Sequence, residues 1–145
     1  MKGTPVASWR RKVVTFFPDM RCDVQRPTFS IYMVFFELLP RVRIAHQEGD
    51  TEALRRIYGF AEWCFEQKAM NMWNAAAVAF YEHLFDSHPT LWNEFVRWLS
   101  PRVVKGCWGL WESRLTAEEL KRITGLFQEC TRPLYQEARI EKLSG

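Results

Sequence analysis

The sequence predicts an all-α protein: one compact bundle or short superhelical array of six to seven helices, arranged as antiparallel helical pairs. Three observations carry this. Apolar residues recur at 3.6-residue spacing in many stretches, and no segment alternates over a useful strand length. Capping residues and prolines punctuate the chain at helix-length intervals. The 145 residues, 48% of them apolar and seven of them Trp, suit a single domain (1–145) with a sizeable core, far from the profile of a disordered chain.

Pro5 suits the first turn of a helix that runs to about Phe17, closed by Pro18. A connector over residues 19–27 ends in Pro27. Thr28 or Ser30 can cap a second helix, "FSIYMVFFELLPRVRIAHQEG", stopped by Gly49. Pro40 inside it is expected to bend it or split it in two. Asp50 caps a third helix, whose Leu54, Ile57, Tyr58, Ala61, Cys64 and Phe65 form one apolar stripe through about Lys68. The fourth helix, Met70 to about Phe85, is apolar nearly all round and should be central. Trp73, Ala76, Ala77, Phe80 and Leu84 are expected on one buried face, with Ala75, Ala79, Glu82 and Asp86 along an outer ridge. The third and fourth helices read as an antiparallel pair.

Ser87 or His88 with Pro89 restarts the chain as a fifth helix through Leu99, and Pro101 opens a segment to about Trp111. Thr116 and Glu119 have capping-box spacing for a last helix. Its Leu120, Ile123, Phe127, Cys130 and Leu134 form a seam, interrupted by Pro133, and residues 135–145 are expected to fray.

The start, "MKGTPVASWRRKVV", lacks the apolar core of a signal peptide. The longest uncharged run, Ala69 to Tyr81, is far short of the ~20 residues a bilayer span needs. A cytoplasmic protein without a membrane partner is expected. Cys22, Cys64, Cys107 and Cys130 form no CxxC pair, which favours free thiols over disulfides or zinc. The net charge of +3 is unevenly placed: residues 1–45 carry eight Lys/Arg against three Asp/Glu, residues 46–100 four against eight. A basic flank and an acidic middle constrain partners more than the total does.

Motifs for catalysis and cofactors are missing: the chain has no GxSxG, P-loop, GxGxxG or HExxH. Glu82, His83, Asp86 and His88 are the nearest approach to a metal set, without a ligand frame, and His46 stands alone at a helix end. Neither an enzyme nor a cofactor is expected. Arg10, Arg11 and Lys12 beside Trp9 give an alternative, a nucleic-acid-binding or regulatory role through the N-terminal helix. Trp9, Val13, Phe16 and Phe17 share one face, however, which makes Trp9 core. The acidic middle offers the favoured site: Glu62, Trp63, Glu66, Glu82, Asp86 and Glu94 as an acidic and aromatic protein-binding surface for a basic partner.

Four pieces recur in a familiar order: "FFPDM", "ELLPRVRIAHQEGDTEALRRIYGFAEW", "NAAAVAFYEHL" and "WLSPRV". Over about residues 13–112 they resemble a family of small all-helical bacterial proteins similar to the immunity proteins of polymorphic-toxin and contact-dependent growth inhibition systems. The resemblance implies a cytoplasmic inhibitor that binds and blocks a cognate toxin domain; a monomer or weak dimer is expected.

Overall fold

The computed structural model describes residues 8–130, which are all α with no strand among them. The helices are α1 (Ser8–Phe16), α2 (Arg21–Val24), α3 (Ile31–Glu48), α4 (Thr51–Phe65), α5 (Met70–Ala79), α6 (Trp92–Phe95), α7 (Pro101–Arg114) and α8 (Ala117–Glu129). Short 3-10 turns at Pro18–Met20, Tyr81–His83, Pro89–Leu91 and Val96–Trp98 connect them. The excess over six to seven helices lies in α2 and α6, single turns of four residues. The expectations at Pro5, Pro133, Leu134 and residues 135–145 lie outside the described residues.

The helix ends follow their capping chemistry. Ser30 Oγ accepts from Met33 N at 3.3 Å, Asp50 Oδ1 from Ala53 N at 3.2 Å and Ser100 Oγ from Val103 N at 3.3 Å. Thr116 and Glu119 form the reciprocal capping box, with bonds of 2.9 and 3.1 Å. Gly49 ends α3 at φ 66°, a left-handed conformation that strains a side-chain-bearing residue. Pro40 does not split α3. It is exposed, so its missing N–H leaves the Phe36 carbonyl on the wet side of the helix.

Helices α3, α4 and α5 pack against one another and carry the centre of the core. Tyr32 meets Asn74, the Phe35 ring meets Phe80, and Arg43 meets His83, so α3 and α5 run in the same direction. Helix α4 returns between them, antiparallel to both. Rings of Phe17, Phe35, Phe60 and Phe80 join α1, α3, α4 and the end of α5 at centroid separations of 5.6–5.8 Å. Helices α7 and α8 close the other side, where Phe85, Trp111 and Phe127 pack together.

Two expected helices are shorter or more broken than their periodicity suggests. The fourth was to run to Phe85, yet α5 stops at Ala79 and Phe80 leaves the helical region at φ −126°, ψ −71°. Beyond the break, Phe80, Tyr81, Leu84 and Phe85 are all buried. Carbonyls of the turn after the break also accept from side chains: Trp111 Nε1 donates to Tyr81 O at 2.8 Å, and Arg43 Nη2 to His83 O at 2.8 Å. The expected fifth helix consists of α6 flanked by two 3-10 turns, with Trp92, Phe95, Val96, Trp98 and Leu99 buried.

Candidate functional site

Of the six residues expected to form one acidic and aromatic surface, the structure brings two together. Glu82 and Asp86 share no helical ridge, since α5 has ended, but both reach Arg114 of α7. Its guanidinium lies 3.4 Å from Glu82 Oε2 and forks onto Asp86 at 2.7 and 3.2 Å. The hydrogen bond to Asp86, then the charges of Asp86 and Glu82, hold Arg114 above its ordinary pKa. His83 Nδ1 adds a 2.8 Å contact to Asp86. The ridge companions Ala75 and Ala79 are buried, so the outer face expected of them is core; Trp73, expected in the core, is exposed.

The other four are dispersed. Glu62 is a correction: it is buried, 3% exposed, and its carboxyl oxygens accept from Ser100 Oγ at 3.0 and 3.2 Å. Ser100 is also the N-cap of α7, so this carboxyl sits beside the positive end of that helix, which offsets its burial. Trp63 is half-buried, stacked on Phe60, with the Lys12 ammonium 5.4 Å from its ring centre. Glu66 lies 3.8 Å from Arg102. Glu94 reaches toward His46, whose Nδ1 is 3.5 Å from its Oε1.

His46 is not isolated. It is buried, its Nε2 lies 2.8 Å from Tyr58 Oη, and its ring meets Phe95 edge-on. Burial lowers its pKa to about 4, so at neutral pH it is uncharged and makes no ion pair with Glu94. Tyr58 is pushed well above its ordinary pKa by burial first and Glu94 second. One turn earlier on α3, Arg43 is lowered by burial against the opposing charge of Asp86. Sequence reasoning missed Arg43; the only signal was its place one turn before His46 on a mostly apolar helix.

Burial pushes the Cys64 thiol far up and the Cys107 thiol to about 12, which suppresses the nucleophilic thiolate. Ser87 Oγ contacts His88 Nδ1 at 2.7 Å, but the two are sequence neighbours on a turn. Among the described residues no group of three or more His, Cys, Asp or Glu could hold a metal. No helix among them is long and apolar enough to cross a membrane. In the basic N-terminal cluster, Arg10 donates to the carbonyls of Val24, Arg26 and Pro27, tying α1 to the chain after α2. Lys12 lies over Trp63.

The surface feature that stands out is apolar. Among the described residues, the exposed large hydrophobic side chains fall on two packed helices: Met33 (43%), Phe36 (60%) and Ile44 (51%) on α3, Met70 (68%) and Trp73 (38%) on α5. Asn74 Nδ2 donates to Tyr32 Oη at 2.9 Å, which brings the N-terminal half of α5 to the N-terminal end of α3. These apolar side chains are exposed on two neighbouring helices, where water favours polar groups. A signal was present: α3 carries more apolar residues than one buried stripe can take.

No curated protein and no solved structure matches this chain. A family profile matches residues 10–116, which span α1 through α7 and most of the 145 residues. The chain therefore belongs to the DUF7674 family, described as a domain of unknown function.

Proposed function

We propose that this domain is a protein-binding module without catalytic activity, which acts in the cytoplasm by occluding one partner protein. An immunity protein blocking its cognate toxin domain is the form of this role that the sequence resemblance implies. The observation that supports partner binding is the set of exposed apolar side chains on α3 and α5. Apolar side chains on two packed helices provide a desolvating contact of the kind that carries affinity at protein interfaces. The buried thiols and the ion-paired Glu82 and Asp86 give the surface little with which to perform a reaction.

The test uses the full chain, tagged, as bait in cells that also express the product of the adjacent reading frame. One protein retained at near 1:1 stoichiometry through moderate salt is the expected result. Retention of nucleic acid alone, lost steeply as salt rises, would replace this reading with the basic N-terminal helix. Retention of nothing would remove it. A Trp63→Ala, Glu66→Lys double variant should lower affinity at most a few-fold, because Trp63 is half-covered and Glu66 already faces Arg102.

A further inference from the structure

The exposed side of α3 carries two rows in register. Met33 and Ile44 are eleven residues apart, and so are Glu37 and Glu48. Eleven residues are close to three turns, so each pair returns to the same side of the helix over about 16 Å. Phe36 and the exposed Pro40 fill the apolar row between Met33 and Ile44. Glu37 and Glu48 are exposed along its flank, and neither is in an ion pair among the described residues. Arg41, between them, is taken by Asp19 at 2.9 Å. On the opposite flank Arg43 turns in to the His83 carbonyl and Tyr32 to Asn74. The apolar row is therefore bordered by two acids that no cation among the described residues pairs with.

We propose that this face of α3 is a docking surface for a basic amphipathic helix of the partner protein. About three turns of that helix lie along α3, its apolar row on Met33, Phe36 and Ile44 and its Lys or Arg side chains against Glu37 and Glu48. Trp73 and Met70 of α5 extend the contact at the Met33 end. This rests on the partner-binding reading and specifies its surface and its chemistry. The apolar row provides the affinity, and the two acids set charge preference and encounter rate.

The probes are two synthetic helical peptides with the same leucine row, one flanked by lysines and one by glutamates, titrated into the 15N-labelled full chain. The lysine peptide should bind at least tenfold more tightly and shift amides of residues 31–48 and 70–74. Phe36→Asp, or Ile44→Ser as a second variant, should abolish the binding, since both residues are exposed and either change leaves the core intact. Glu37→Lys with Glu48→Lys should invert the order of the two peptides. Equal affinities, no binding, or shifts confined to other helices would overturn the inference. So would a dimer in sedimentation that Phe36→Asp dissolves, which would give the face to a second copy. If the tagged chain captures one protein in equal yield with and without Phe36→Asp, the inference falls while partner binding stands. If the wild-type chain captures none, both fall.

Discussion

His46 is the side chain whose protonation the fold opposes with the clearest consequence. Its ordinary pKa is 6.5, and burial brings it to about 4. The unfolded chain thus takes up the proton first as pH falls. The stability that depends on a neutral His46 is complete above about pH 6.5 and is lost as pH falls toward 4, an upper bound of about 3 kcal/mol. Urea midpoints measured from pH 7 to 4 should fall more steeply for the wild type than for His46→Gln, which keeps a hydrogen-bonding group toward Tyr58. Parallel profiles would show that His46 does not titrate with folding. Glu62 illustrates the complementary solution for a buried polar group. Ser100 caps α7 and donates to the Glu62 carboxyl at the same time, so one hydroxyl serves two needs.

Between elements, the approach of α7 to α4 depends on the absence of one methyl group. A Cβ on Gly106 would stand 2.6 Å from the Phe65 ring, which is itself held edge-on by Tyr81 at 5.9 Å. Gly109, on the same helix, has nothing within 4 Å of that position. Replacing a helical Gly by Ala ordinarily stabilises by about 1 kcal/mol. Gly109→Ala should therefore raise the melting temperature, whereas Gly106→Ala should lower stability by about 1 kcal/mol through displacement of Phe65. Equal stabilisation by the two variants would mean that Phe65 moves aside freely. The end of α5 follows the same logic of neighbours: Trp111 and Arg43, from α7 and α3, donate to carbonyls of the turn after the break.

Across the whole molecule, buried residues from α1 to α8 belong to one cluster, which ties distant thiols to a single unfolding event. Cys22 is exposed, while Cys64 in α4 and Cys107 in α7 are buried with raised pKa values. In a Cys130→Ser background, a thiol reagent should label Cys22 at once under native conditions. Cys64 and Cys107 should then react slowly and at one common rate, that of global opening. If either reacted at the rate of Cys22, the core would have a local route of opening at that helix. Charge is also settled at this scale. Within the acidic middle, Glu82 and Asp86 are answered by Arg114 and Glu66 by Arg102.

The all-α class, the caps at Ser30, Asp50 and Thr116, the stop at Gly49 and the α4 stripe were legible in the sequence, because each depends on residues within a turn or two. Positions decided by what another helix brings were not. Periodicity could not end α5 at Ala79, since Phe80, Tyr81, Leu84 and Phe85 also fit the stripe of a continuing helix, and where they pack depends on α4 and α7. It could not place Glu62 inside, since that depends on Ser100, 38 residues away. It also could not show that Glu82 and Asp86 are neutralised or that Met33, Phe36 and Ile44 are left in water. Local sequence sets which faces are apolar and where helices can begin and stop; which apolar face goes uncovered depends on how many helices the fold has to cover it.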